Sequence, residues 1–426
     1  MNKHILLVCY VFPPYPGIGG RRWAKFAKYL AKKGYTVHVI NSENPFPEVS
    51  NWTQDVQSGN IHVHSLSLRY PRVLITQPKN IFEKIIYHAW VNILPLFSRG
   101  TIYDRALFWK KMVLKHAFNL IEKHQIKSVI VSGAPFHLLH HCLEIKKKFP
   151  ATVLLSDFRD PWTDGKTYGM GALSKKRLEY EKNMEKETVL YSDYISYPSQ
   201  DYVDNNFKKK YSSILKNSEE KFMIIPHGFD EDDFKNIPSD SLLHPHKKVK
   251  FLYAGSMYTG IYHILDAFVN SLLKIKAEMP DLYNRLQIDF YTDTVQYEKL
   301  FKNNSLDVVR FHNPVNSGEY FSKITETDFI ILFLSFPWNL NLTTKVVESL
   351  PLRKRLLAFS DKSFVTDYIQ TNRIGSVIYP DQNVNERFLN VLNNYIEGKD
   401  DFNTNFDVNQ FSYNVLADNL LKKLIK

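Results

Sequence analysis

The stretch Ile5-Leu6-Leu7-Val8-Cys9-Tyr10-Val11-Phe12-Pro13-Pro14-Tyr15-Pro16-Gly17-Ile18-Gly19-Gly20-Arg21-Arg22 decides how this chain is read. Residues 5–11 are apolar at consecutive positions, as expected of a strand buried on both faces of a parallel sheet. Prolines and glycines end the strand. Residues 22–33 then set Trp23, Phe26, Ala27 and Leu30 at helical spacing, with Lys25, Lys28, Lys32 and Lys33 on the opposite face. Gly34 stops this helix, and residues 35–40 read as a second strand. Strand, glycine turn, helix and strand form a βαβ unit, which predicts an α/β fold with a parallel, doubly wound sheet.

Outward from this unit the rhythm breaks and then resumes. Residues 69–120 are rich in aromatic and basic side chains, among them Tyr87, Trp90, Phe97, Arg99, Trp109, Lys110 and Lys111, with helical spacing in parts. A strand at 128–132, the turn Gly133-Ala134-Pro135, a helix at 136–147 and a strand at 152–156 follow, then a helix at Lys175–Tyr191. A second strand–turn–helix series starts near 222, with strands at 249–254, 286–291, 328–334 and 356–359. Two such series predict two Rossmann-like domains facing each other across a cleft. The expected domains are 1–220 and 221–408, with a closing helix in 409–426 that packs back toward the first.

Composition sets the outer bounds. A chain of 426 residues, 44% hydrophobic and 23% charged, lies in the globular range and is long enough for two or three cores. No apolar run approaches the roughly 18 residues of a membrane span. The first residues imitate a short signal peptide, but no small-residue cleavage site follows, so they read as a strand. Two cysteines, Cys9 and Cys142, cannot make a disulfide framework, and a cytoplasmic setting is expected. Charge is uneven. Residues 1–150 hold 21 Lys and Arg against 7 Asp and Glu, a net +14, which leaves −3 for the other 276. An anionic partner for the first domain is one reading and a solvated basic face is the other.

Four segments carry candidate chemistry. Gly19-Gly20 before a helix lets backbone N–H groups approach an anion. It is no dinucleotide fingerprint, because Arg22 stands where a third glycine belongs and the second strand ends on Asn41 instead of an acid. Asp157-Phe158-Arg159-Asp160-Pro161-Trp162 follows a strand end, where Asp160 can accept from a hydroxyl and Trp162 can stack on a sugar; a local Asp–Arg pair is the plainer reading. His137, His140, His141 and Glu144 share one helix, with His137 expected at the cleft. They lack a metalloprotease spacing or a further ligand, so no metal is expected. Thr343-Thr344-Lys345-Val346-Val347-Glu348 reads as a threonine-capped helix. Lys345 and Glu348 share its first turn, where a cation can meet a diphosphate and a carboxylate can meet ribose hydroxyls; the plainer reading is a helical ion pair.

Taken in order, Pro13-Pro14 through Gly19-Gly20-Arg21, Ser132-Gly133-Ala134-Pro135-Phe136, Asp157–Trp162, Ile225-Pro226-His227-Gly228-Phe229-Asp230, Tyr253-Ala254-Gly255-Ser256 and Lys345-Val346-Val347-Glu348 resemble the GT-B glycosyltransferases, specifically the retaining family 4, over nearly the whole chain. The resemblance implies metal-independent transfer without a cofactor, from a nucleoside diphosphate sugar held by the C-terminal domain to an acceptor held mainly by the N-terminal domain. It implies donor contacts from Gly19, Gly20, Gly255, Ser256, Lys345 and Glu348. Together with the residue readings above, Arg21 and Thr344 are expected to join the donor set, Arg159 and Trp162 to contact the acceptor, and Asp160, His137 and Lys345 to act in catalysis. Three departures stand out. Leu340 occupies the place of the family's first glutamate, Tyr258-Thr259-Gly260-Ile261-Tyr262 replaces its Arg and Lys clamp, and Ser132-Gly133 lacks a histidine. Charge on the diphosphate then falls to Lys345, with Arg21 or Arg353.

The expected function is therefore extension of a cell-surface glycan of the lipopolysaccharide or capsule kind. The acceptor would be a glycan or a polyprenyl-diphosphate-linked glycan, and the basic first domain would dock on the anionic inner face of the membrane. Alternatives are a sugar-nucleotide epimerase on the same fold and a catalytically silent nucleotide-sugar-binding module. Nucleic acid is not expected, because the aromatics lie at helical spacing and not on a strand platform.

Overall fold

The computed structural model describes residues 3–165, 168–215, 219–235, 248–257, 260–293, 297–315, 317–335 and 341–425. Tyr258, Thr259 and positions 336–340, including Leu340, lie outside the described residues. The chain forms two compact units: Met1–Pro226 with Tyr413–Lys426, and His227–Ser412. These divisions fall a few residues beyond the expected 220 and 408.

The first unit is built on seven parallel strands: β1 (His4–Cys9), β2 (Thr36–Ser42), β3 (Ile61–Leu66), β4 (Ser128–Gly133), β5 (Val153–Phe158), β6 (Tyr194–Tyr197) and β7 (Phe222–Ile224). Their spatial order is β3-β2-β1-β4-β5-β6-β7, so the winding reverses between β1 and β4. Both faces of β1 are covered, which is why its sequence is continuously apolar. Ile5, Leu7 and Cys9 join a core with Trp23, Phe26, Ala27 and Leu30 of helix Arg21–Lys32. Leu6 and Val8, on the opposite face, are buried too. Helix Tyr413–Leu424 belongs to this core through Tyr413, Leu416, Ala417 and Leu420. The edge of Tyr413 meets Phe26 at 5.2 Å, and Lys33 pairs with Asp418 at 2.8 Å.

Helix Lys175–Tyr191 forms over the expected span, whereas the helix expected at 136–147 is divided into His137–His141 and Leu143–Lys148. The aromatic stretch separates in two. Helix Ile81–Phe97 starts from an Asn80 cap and buries Leu94 alone, leaving Ile81, Phe82, Ile85, Ile93, Leu96 and Phe97 exposed. Trp109 does the opposite. It is fully buried, with its indole N–H on the Ser67 carbonyl at 2.9 Å, so it is no part of an exposed aromatic surface. Among the described residues no helix is long and apolar enough to cross a membrane. Cys9 and Cys142 are both free and buried.

The second unit holds six parallel strands: β8 (Val249–Ala254), β9 (Leu286–Tyr291), β10 (Val309–His312), β11 (Phe329–Leu334), β12 (Arg355–Ser360) and β13 (Gly375–Ile378), in the order β10-β9-β8-β11-β12-β13. The winding again reverses at the middle, between β8 and β11. β11 shows the two-residue period with both faces buried. Phe329, Ile331 and Phe333 pack with Phe268 of helix Tyr262–Glu278, while Ile330, Leu332 and Leu334 pack with Val346, Val347 and Leu350.

Candidate functional site

In open parallel sheets, ligands bind outside the carboxyl ends of the strands where the winding reverses. Each unit has one such place, and most of the residues singled out from the sequence lie at one or the other.

In the second unit, the reversal brings the segment after β8 against the connection after β11. Gly255 follows β8 with φ +106, and a β-carbon there would stand 2.7 Å from Lys345 Cε and 2.8 Å from its Nζ. Only glycine leaves room for this side chain. Lys345 lies in helix Thr344–Ser349, whose preceding Thr343 caps the Val346 N–H. Its ammonium sits 4.5 Å over the ring of Tyr253 and 3.5 Å from the Tyr253 hydroxyl. Desolvation pushes its pKa down to about 8, opposed by the charge of Asp293. The plain helical ion pair therefore does not form: among the described residues the partner of Lys345 is Tyr253 and not Glu348. Glu348 lies one turn on, partly buried, and with burial it holds the Tyr320 hydroxyl well above its ordinary pKa.

Ser256 is exposed and donates to Asp293 Oδ1 at 2.9 Å, and Thr344 is partly buried at the first helical position. Asp293, two residues past β9, and Tyr253, the floor beneath Lys345, were not singled out as site residues from the sequence. Their signal is weak there, since neither shares a local motif with Lys345. Arg353 takes no part: its guanidinium donates to the Phe406 carbonyl.

In the first unit, three segments converge at the β1/β4 reversal. Gly17 (φ +101) turns the chain into one 3-10 turn, Ile18–Gly20, that runs into helix Arg21–Lys32. Arg159, after β5, binds this turn to the one after β4. It donates to the Gly19 carbonyl, to the Gly133 carbonyl at 2.7 Å and to the Ala134 carbonyl at 3.1 Å. Arg159 is thus a strut between two backbone turns, occupied by three carbonyls. Among the described residues it bonds to neither Asp157 nor Asp160, so the local Asp–Arg pair of the plainer sequence reading does not form.

Asp157 is a buried hub. It accepts from the Trp23 indole (2.7 Å), Ser132 (3.0 Å), Ser196 (2.7 Å) and Arg22 (3.4 Å). Arg22 also donates to the Ile225 and Pro226 carbonyls. Gly19 and Asp160 remain partly exposed, Asp160 accepting from the Tyr168 hydroxyl at 3.1 Å, while Gly20 is buried against the Phe12 backbone.

Three assignments need correction. Trp162 cannot stack on a sugar. It is fully buried, parallel to Phe136 at 5.3 Å, with its N–H on Glu181 at 2.8 Å. His137 does not face a cleft as a catalytic base. It is 2% exposed, with Nε2 2.8 Å from Glu181 Oε1 and its backbone N–H on Asp104. Burial opposes its charge, but Asp104 and Glu181 outweigh burial and push its pKa up to about 9, so it is a buried imidazolium in an ion cluster. Arg21 is not a free cation for a diphosphate. It is 2% exposed, with its guanidinium 5.8 Å over the Tyr413 ring.

The remaining histidines of that stretch do not converge on a common point. His140 meets Glu187 at 2.7 Å, His141 meets the Ala106 carbonyl at 3.3 Å, and Glu144 accepts from Lys110 at 3.2 Å.

No family model and no curated protein matches the chain. Solved structures do match it along its length. Sucrose-phosphate synthase from Thermosynechococcus elongatus is similar at 13% identity, with 99% of this chain and 98% of that one covered and a TM-score of 0.61. A glycosyltransferase from Rickettsia africae is similar at 16% identity, 99% and 98% coverage and 0.61. UDP-GlcNAc 2-epimerase from Methanocaldococcus jannaschii is similar at 11% identity, 99% and 98% coverage and 0.54. The likeness is one of fold: the chain has two Rossmann-like, parallel-sheet domains, the GT-B architecture.

Proposed function

We propose that the protein is a glycosyltransferase that moves a sugar from a nucleoside diphosphate sugar to a glycan or polyprenyl-diphosphate-linked acceptor in the synthesis of a surface polysaccharide. The observation that carries this reading is Lys345, a desolvated ammonium laid across Gly255 at the winding reversal of the second sheet. A desolvated cation with no ion-pair partner among the described residues is costly, and a diphosphate is the natural counter-charge.

In this reading the second unit holds the donor. Lys345 neutralises the charge that builds on the leaving diphosphate as the bond from the anomeric carbon breaks, which is stabilisation where charge develops. Ser256 and Thr344 offer hydroxyl donors, and Glu348 accepts from ribose hydroxyls. The first unit holds the acceptor, with the rigid Gly19 turn as a wall and Asp160 orienting the attacking hydroxyl. Retention at the anomeric carbon, a hexosyl group and independence of metal are part of the proposal.

The exposed apolar helix Ile81–Phe97, in a region of net positive charge, supports attachment of the first unit to an anionic membrane surface.

Thermal unfolding against UDP, GDP, dTDP, CDP, CMP and NAD tests the donor site. A ligand at 100 times its dissociation constant stabilises by about 2.7 kcal/mol, and one nucleoside diphosphate is expected to do so. No shift with any of them would remove the proposal. Turnover of the nucleotide sugar with no acceptor present would replace it with the epimerase reading.

A further inference from the structure

Away from the winding reversal, the first unit gathers histidines from distant parts of the sequence. His4 opens β1, His38 lies in β2, and His124 ends helix Lys110–His124, which leads through Gln125 (φ +50) toward β4. The parallel register sets Leu6 opposite His38 and His38 opposite His62, so the cluster lies toward the amino ends of the strands, at the other end from the Gly19 turn.

One ligand nitrogen from each of His4, His38 and His124 lies within 4.8 Å of the others, and His4 Nδ1 is 3.1 Å from His38 Nε2. The ring centroids are 5.3 Å (His4–His38), 5.2 Å (His4–His124) and 4.3 Å (His38–His124) apart. Three imidazoles on a tetrahedral ion, with metal–nitrogen bonds of about 2.0–2.1 Å, would hold their centroids about 5 Å apart. Nitrogens on such an ion stand about 3.3 Å apart, so the His4–His38 pair is already at that spacing and the widest pair, at up to 4.8 Å, would close by about 1.5 Å.

His38 is 3% exposed. Its Nε2 faces His4, and its Nδ1, on the other side of the ring, has no hydrogen-bond partner among the described residues. His62, whose ring lies 5.3 Å from that of His38, and His64 at 5.9 Å surround the cluster with further imidazole.

We propose that His4, His38 and His124 form a binding site for a divalent transition-metal ion of the zinc class. Imidazole nitrogen is the ligand type such ions share, and the absence of carboxylates among the three argues against magnesium or calcium. Solvent fills the fourth position. The ion ties the first strand, the second strand and the end of a helix together, and it lies apart from the proposed transfer chemistry, which stays metal-free.

The test uses the untagged full chain, stripped with chelator and titrated with Zn2+ alone and with Co2+ alone. Equilibrium dialysis is expected to find one Zn2+ per chain, and Co2+ is expected to give the visible bands of a tetrahedral nitrogen site. His4→Ala and His124→Ala, both at partly exposed positions, should each weaken binding about tenfold or more, while the exposed His116→Ala should not. If either variant fails to fold, protection of His4 and His124 in the wild-type chain against diethyl pyrocarbonate by bound Zn2+ reads the same contact. Failure to bind one ion per chain, or binding unchanged in both His4→Ala and His124→Ala, or no protection, overturns the proposal.

Discussion

Replacing Lys345 with alanine separates a binding lysine from a structural one. In the folded chain, desolvation lowers its pKa from 10.5 to about 8. That difference corresponds to about 3 kcal/mol of unfavourable charge at neutral pH. The Tyr253 ring beneath the ammonium offsets about 0.5–2 kcal/mol of it, and the buried stem returns a further fraction. Truncation should therefore leave the ligand-free protein unchanged or more stable, by about 0–2 kcal/mol, which raises the melting temperature of a unit this size by at most roughly 4–8 °C. Nucleotide affinity should move the other way. Losing one charge-assisted contact costs about 1.5–3 kcal/mol, on the order of a ten- to hundredfold rise in Kd. Calorimetric titration with the nucleoside diphosphate found in the thermal screen reads the affinity, and scanning calorimetry of the ligand-free chain reads the stability. A variant that melts several degrees lower yet binds with unchanged Kd would refute the reasoning and make Lys345 a packing residue.

Other consequences follow from the same geometry. Gly255→Ala sets a β-carbon 2.7 Å from Lys345 Cε at φ +106, so the ammonium must move; nucleotide affinity should fall about as far as in Lys345→Ala, and an unchanged titration would argue against their coupling. His137 has a raised folded-state pKa. Its ion cluster thus stabilises the fold in full below about pH 6.5, and up to about 3 kcal/mol is lost as pH rises through about 9. Urea unfolding at a series of pH values should show that loss in the wild type and a flatter profile in His137→Gln; identical profiles would sink it. Phe82→Glu with Ile85→Glu should abolish co-sedimentation with anionic vesicles at low salt while leaving nucleotide binding intact, because both side chains face solvent. Vesicle binding that survives the double change would free helix Ile81–Phe97 from the role.

Much of the architecture was legible from local pattern. The continuous apolar run of β1, the helical spacing of Trp23, Phe26, Ala27 and Leu30, and the span of helix Lys175–Tyr191 are consequences of backbone hydrogen bonding and of which face is buried, and both act over a few residues. The sequence by itself therefore determined two αβ series, the glycine turn after the first strand and the threonine cap before Lys345. It also placed Lys345 and Glu348 on one helical turn, but it could not choose their partners.

Those partners were decided only by the tertiary structure. Lys345 reaches across 92 residues to Tyr253 because β8 and β11 are neighbours at the winding reversal. Trp162 and His137 look like loop and helix-start residues along the chain, yet Glu181 draws both inward, since a buried carboxylate requires donors. Arg159 and Arg21 carry charges that suit a phosphate, but backbone carbonyls occupy the first and the Tyr413 ring, 392 positions away, covers the second. The His4–His38–His124 cluster is likewise invisible in sequence, because sheet order alone brings those three positions together. Periodicity records burial and backbone pairing within an element. Side-chain partnership depends on which elements become neighbours, and that is fixed by the packing of the whole domain.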